Sequence, residues 1–141
     1  MDSKQIITIL KGTEMFSAMS ESSLETMLKS TVEKKVPAGT KIVEQGHGGV
    51  GFYLILEGEA EVVKNGQAVA TLGVGNFFGE LTVIDGEPRT ADVVAKTDTI
   101  CMVITQWAMK SIMANHPEIA LGMVEELVRR LRSSGAASDA A

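Results

Sequence analysis

Cysteine, histidine and basic charge are all scarce in this chain, and each shortage excludes something. The single cysteine, Cys101, cannot close an internal disulfide, and within the run TICMVI it reads as a buried small hydrophobe rather than a reactive thiol. The two histidines, His47 and His116, stand far apart without partners at metal-ligand spacing, which argues against a metal centre and a cupin-type metalloenzyme. A formal net charge of -5 leaves no broad electropositive surface to grip nucleic-acid phosphates. The N-terminus MDSKQIITILKG has neither the basic n-region and long apolar core of a signal peptide nor a span of about 20 apolar residues, so a cytoplasmic protein without membrane attachment is expected. No G-x-S-x-G elbow or G-x-x-x-x-G-K-[ST] loop is present, and GVGNFFG has the wrong spacing for a dinucleotide fingerprint. The expectation is a protein that is not an enzyme.

At 141 residues and 45% apolar composition the chain fits one domain with a real core. Ile6, Ile9 and Leu10 recur at helical spacing over 3–11 behind Ser3 as N-cap. A second helix follows in SESSLETMLKS, capped by Ser20 or Ser22. From Val32 the period changes. The segments VEKKV, TKIVE, GFYLILEG, EAEVVK, QAVATLG, TADVVAK and DTICMVI are short, rich in β-branched residues and divided by turn signals, the pattern of a sandwich or barrel. Asn65-Gly66 is the strongest hairpin signal, because a type I′ turn needs positive φ at both positions. The helical period returns after Ile104 in TQWAMKSIMANH and in PEIALGMVEELVRRLRSS, with Pro117 suited to a first turn and Met109, Met113 and Met123 as gap-fillers. This divides the domain 1–132 into a helical part (1–31), a β part (32–104) and C-terminal helices (105–132), with a disordered tail over 133–141. The class is α+β.

The stretch FGELTVIDGEPRTADVVA, residues 78 to 95, breaks the β pattern. Only GELTVI looks like a helical turn, and a helix start exposes free N–H groups and a partial positive charge that suit an anion. Gly79 lets an anion approach the backbone. The DGEP turn returns the chain so that Arg89 faces that helix start with a planar fork matched to phosphate oxygens. Thr90 adds a hydroxyl and Ala91 an N–H. Glu80 beside an anion needs its own reason, and a sugar hydroxyl supplies one while the carboxylate also pairs with Arg89. Phosphate plus vicinal hydroxyl describes a nucleotide.

The run F-G-E-L-T-V-I-D-G-E-P-R-T-A-D-V resembles the phosphate-binding cassette of the cyclic-nucleotide-binding domain, the family of the catabolite activator protein and the regulatory subunits of cyclic-AMP-dependent protein kinase. VPAGTKIVEQG, FYLILEGEAEV and the two closing helices follow the same order, so the resemblance covers about residues 13–132. It implies an antiparallel eight-stranded β-barrel or jelly roll with N-terminal helices, a short cassette helix and two C-terminal helices. It implies that Glu80 holds a ribose 2′-hydroxyl and Arg89 the cyclic phosphate, with Gly79, Leu81, Thr90 and Ala91 lining the cradle and Thr82 on the ribose side. His47 and Val50 stand where the family often carries acids. Thr90 by itself does not decide the base: cyclic AMP is favoured, with cyclic GMP the alternative.

By the same resemblance, ligand capture moves helices 105–132 and the output passes to an effector protein. Only SGAASDAA follows the long helix, where the family's transcription factors carry a helix-turn-helix, so this chain is expected to bind no nucleic acid and to be either a stand-alone sensor or a piece of a longer protein whose output domain lies outside it. Val124, Leu127, Val128 and Leu131 form either a lid over the base or ordinary core. The stripes Ile119, Met123, Leu127, Leu131 and Ala120, Val124, Val128 are broad enough for a homodimer through 117–132 as well. Arg129, Arg130 and Arg132 read as cations favoured at a helix C-terminus rather than as a nucleic-acid arm. Arg89 and Glu80 as a mere surface ion pair, and a protein-interaction module that keeps the fold without its ligand, are the readings to be tested against this one.

Overall fold

Helix α1 (Ser3–Lys11) is capped by Asp2, one residue before the serine that the spacing suggests. Asp2 accepts the Gln5 N–H at 2.8 Å while Gln5 Oε1 accepts the Asp2 N–H at 3.1 Å, a reciprocal capping box that a cap at Ser3 would forgo. Ser20 caps α2 (Glu21–Leu28) by accepting the Ser23 N–H at 3.1 Å. Thr105 caps α3 (Gln106–Asn115) through the Ala108 N–H at 3.2 Å, and Pro117 opens α4 (Pro117–Ser133) in the turn where a missing N–H is tolerated. The computed structural model describes residues 1–49, 51–79 and 84–133. The expected cassette helix over 79–84 and the expected tail over 133–141 therefore fall almost wholly outside the described residues.

Eight strands lie between the helices among the described residues: β1 (Thr31–Val36), β2 (Lys41–Val43), β3 (Gly51–Glu57), β4 (Ala60–Lys64), β5 (Gln67–Leu72), β6 (Phe77–Phe78), β7 (Asp92–Ala95) and β8 (Thr99–Thr105). Seven follow segments legible in the sequence. The eighth, β6, is two residues long, too short to show a period. The strands form two antiparallel four-stranded sheets, β1-β8-β3-β6 and β2-β7-β4-β5. Among the described residues no ladder joins the sheets, so the architecture is an open jelly-roll sandwich and not the closed barrel that the resemblance allowed. Closure would require edge strands to pair across the sheets. Edge strand β1 instead leaves Val32 to Lys35 largely in water, with lysines that discourage further pairing.

The absence of alternation in GFYLILE has a structural cause. Successive side chains of β3 point to opposite faces, and both faces are covered. Phe52, Leu54 and Leu56 join Met102 and Ile104 of β8 against Leu10, Phe16, Leu24, Met109, Ile119 and Met123 of the helical layer. Ile55 and Cys101 face the other way, into the space between the sheets with Val36, Ile42, Ala60, Leu72, Phe78, Val93 and Ala95. Burial pushes the Cys101 thiol up to about 11, which keeps it protonated at neutral pH. The β4–β5 hairpin turns at Asn65 (φ 52°) and Gly66 (φ 80°), the positive pair that a type I′ turn requires.

The loop after β2 is tied down by polar contacts. The Gln45 N–H donates to Asp92 Oδ1 at 2.7 Å, and Lys41 lies 3.4 Å from Asp92 Oδ2. The Gln45 side chain in turn brackets the hairpin, donating to Asn65 Oδ1 at 2.8 Å and accepting the Asn65 N–H at 3.0 Å. The Gln45 amide, then the Lys41 charge, hold the Asp92 carboxyl below its ordinary value despite some opposing desolvation. A carboxyl depressed in the folded state adds stability above its unfolded value of about 3.9 and loses it as pH falls through the folded value. Thermal unfolding of wild type and Asp92→Asn across pH should therefore show the wild type more stable at neutral pH, the gap closing only on acidification below about pH 4.

Candidate functional site

Strand β6 is short but firmly placed. Phe77 stacks on Phe52 on the helical side, with centroids 5.2 Å apart, and Phe78 stacks on Tyr53 on the inter-sheet side at 4.9 Å and 6° between planes. The chain then leaves the sheet at Gly79, whose φ of +85° is unfavourable for any residue with a Cβ. The stacked pairs thus fix where the Gly79 carbonyl lies.

Arg89 comes to that carbonyl from the other side. Its backbone is paired to the glycine-rich loop after β2: the Arg89 N–H donates to the His47 carbonyl at 2.9 Å, and the Arg89 carbonyl accepts the Gly46 N–H at 2.8 Å. Its side chain runs inward until only 6% of the residue is exposed. There Nη1 donates to the Gly79 carbonyl at 3.1 Å and Nη2 to the Gly51 carbonyl at 2.9 Å, with the guanidinium 5.8 Å from the Tyr53 ring centroid. Two glycines make the room. A Cβ on Gly49 would lie 2.6 Å from Nη2, and one on Gly79 would lie 2.6 Å from Nη1. A guanidinium taken this far out of water costs several kcal/mol unless hydrogen-bonded, and the fork geometry recovers much of that through two carbonyls at once.

Beside the guanidinium is a cavity of about 100 Å³. Its wall is apolar on the sheet side, from Val43, Val62, Leu72, Phe78 and Val93, and polar where Gly79, Arg89, Thr90 and Ala91 meet. An apolar surface facing one nearly buried cation and nearby backbone suits a small ligand with a flat apolar part and a single anionic group.

Four of the residues singled out from the sequence, Gly79, Arg89, Thr90 and Ala91, therefore share one cavity. Glu80, Leu81 and Thr82, and the departure at Val50, lie outside the described residues. The four lid candidates are not brought to this cavity. Leu127 packs at the edge of the helical core, while Val124, Val128 and Leu131 are exposed on the far face of α4 with Leu121. Ile119 and Met123, on the opposite face, are buried. One lining residue had no signal in the sequence: Arg130, grouped there with the cations of a helix end, reaches across from α4 to the cavity mouth. The apolar wall of Val43, Val62, Leu72 and Val93 was legible only as strand periodicity, because which face looks onto the cavity depends on how the sheets stack.

Comparison with known proteins adds a relationship to this geometry. Residues 33–116 match the sequence model of the cyclic nucleotide-binding domain. The cAMP-dependent protein kinase regulatory subunit of Aspergillus fumigatus is 40% identical over 102 residues, which are 71% of this chain and 23% of that protein. A solved cyclic nucleotide-binding domain from Methylobacillus flagellatus superposes with a TM-score of 0.81 at 28% identity, covering 94% of this chain and 79% of the other. The Thermus thermophilus catabolite activator protein superposes with a TM-score of 0.80 at 26% identity, covering 90% of this chain and 62% of the other. The chain spans 22% of one Aspergillus niger kinase regulatory subunit and 26% of the Yarrowia lipolytica one.

Gly49 offers a test of the arginine's seat that leaves the backbone unstrained, since its φ is not in the left-handed region that constrains Gly79. Gly49→Ala should fold but displace the guanidinium, costing about 2–3 kcal/mol for the lost charged hydrogen bonds. By NMR the Arg89 Nη–H protons should move towards their random-coil positions and exchange freely in the variant; unchanged, protected resonances would refute this packing.

Proposed function

The chain belongs to the cyclic nucleotide-binding domain family, and on that premise we propose that it captures a cyclic nucleotide, cyclic AMP in preference to cyclic GMP, and acts as a regulatory sensor module. The observation that carries this reading is the buried Arg89 fork held by the Gly79 and Gly51 carbonyls at the edge of an apolar cavity. A cyclic phosphodiester carries a single negative charge, which one guanidinium with adjacent hydroxyl and amide donors can balance. In this reading Arg89, Thr90 and the Ala91 N–H receive the phosphate, Gly79 allows its approach, and Leu81 completes the cradle. Glu80 takes the ribose 2′-hydroxyl, with Thr82 beside it. The apolar wall of Val62, Leu72 and Val93 takes the base face.

The module has no catalytic role in this reading. Its output is a rearrangement of α3 and α4, transmitted to an effector protein. Such coupling needs a ligand that binds one helix arrangement better than another. The exposed row Leu121, Val124, Val128 and Leu131 is spaced for a partner helix, so a homodimer through 117–132 belongs to the same proposal. One feature of the structure favours the rival reading, a protein-interaction module that has lost its ligand: the cavity of about 100 Å³ is smaller than the 300–1,000 Å³ or so typical of small-molecule sites. On the sensor reading, entry requires the mouth to open.

Calorimetry separates the two. The wild type should bind cyclic AMP more tightly than cyclic GMP in direct competition, and Arg89→Ala should weaken binding by about 2–5 kcal/mol, with Arg89→Lys restoring little because it lacks the fork. Absence of heat with either nucleotide at millimolar concentration would hand the case to the interaction module.

A further inference from the structure

Among the described lining residues of the Arg89 cavity, only Arg130 comes from outside the two sheets and their loops. It also lines a second cleft, of about 300 Å³, between α4, the α1–α2 loop, and the β5–β6 loop with the first residue of β6. It is thus the partition between the two spaces. Among the described residues, contacts with Phe77 and Glu126 hold it there. Its Nη2 donates to the Phe77 carbonyl, its guanidinium lies 4.5 Å over the Phe77 ring centroid, and its Nε is 3.4 Å from Glu126.

Glu126 is shared. Its other contact is Arg129, at 2.6 Å, and Arg129 reaches on to Glu14 of the α1–α2 loop at 2.9 Å. The two arginines follow Glu126 by three and four residues, so one helix turn places both within reach of the same carboxylate. The loop comes close elsewhere too: a Cβ on Gly122 of α4 would stand 3.0 Å from the Met15 Cα. A continuous chain of contacts therefore runs from the N-terminal helices through Glu14, Arg129, Glu126 and Arg130 to Phe77, two residues before Gly79.

We propose that this chain is a strap that holds α4 over the cavity mouth, with Arg130 as its latch on Phe77 and Glu14 as its anchor on the α1–α2 loop. The inference rests on the sensor reading and says what opposes ligand entry. Every ion pair of the strap is partly exposed, with side chains between 28% and 74% accessible, and only the Phe77 end is buried. Such links contribute little to global stability, yet they are enough to set the balance between two positions of one helix. The strap also supplies an input: a partner that drew the α1–α2 loop away from Glu14's present position would loosen the latch from a distance.

Two measurements on the full chain test it. Hydrogen exchange of the α4 amides, with no nucleotide added, should be faster in Arg130→Ala and in Glu14→Gln than in wild type. Association of a fluorescent cyclic AMP analogue should be about fivefold faster or more in Arg130→Ala, the low end of common coupling effects. It should be intermediate in Glu14→Gln, and largely unrelieved in Arg130→Lys, which keeps the cation over the Phe77 ring. Binding that is unchanged or slower in Arg130→Ala overturns the latch and makes Arg130 a bystander or a ligand contact. An effect in Arg130→Ala with none in Glu14→Gln overturns the link to the loop. A wild type silent towards both nucleotides while the variants still loosen α4 sinks the sensor reading and leaves the strap in place.

Discussion

The guanidinium of Arg89, shared between the Gly79 and Gly51 carbonyls, is the contact on which the site depends. It joins four segments that the chain delivers separately: the start of β3, the end of β6, the glycine loop after β2, and the approach to β7. Of these only the start of β3 belongs to a long ladder, its pairing with β8. The backbone bonds of Arg89 to Gly46 and His47 hold the loop, and its side chain gathers the two carbonyls. A lysine would meet only one of them, because its ammonium is a point rather than a fork. The same cation that organises the loops also leaves a positive face at the cavity, so one residue serves both architecture and chemistry.

Around that contact the fold is asymmetric. The sheet containing β3 and β8 is covered on both sides, by helices on one and by the second sheet on the other. The sheet containing β2, β7, β4 and β5 contributes to the inter-sheet core and, near Val62, Leu72 and Val93, to the cavity wall. This division explains why β6 can be two residues long. It needs no extended pairing when an aromatic stack clamps it on each face, Phe77 on Phe52 and Phe78 on Tyr53. Phe77 and Phe78 then act in opposite directions, one offering its ring and carbonyl to Arg130, the other sitting in the wall beside Arg89.

The two arginines are held in contrasting ways. Arg89 is buried and anchored to backbone carbonyls, an arrangement that costs much to break and so keeps a constant geometry. Arg130 is about a third exposed and part of an ion-pair chain of the kind that water and salt weaken. The sensor proposed above calls for both kinds of contact: a rigid group to receive a ligand, and a weakly held element whose position a ligand can change.

Much of this was legible in the linear chain. The order of helices and short strands, the Asn65-Gly66 turn, the buried character of Cys101 and the convergence of Gly79, Arg89, Thr90 and Ala91 all follow from local rules. A turn's φ requirement, a two-residue period and the chemistry of a lone arginine after a proline are properties of neighbouring residues. The sandwich in place of a barrel, the apolar wall from Val43, Val62, Leu72 and Val93, and the reach of Arg130 to Phe77 were decided only by tertiary structure. Each depends on how far apart two sheets stand or how a helix lies across them, and no local pattern encodes that distance. For the same reason the exposed serine at position 3 looked like a cap when Asp2 and Gln5 together made a better one, and Leu131 looked like core when the rotation of α4 turned it to solvent.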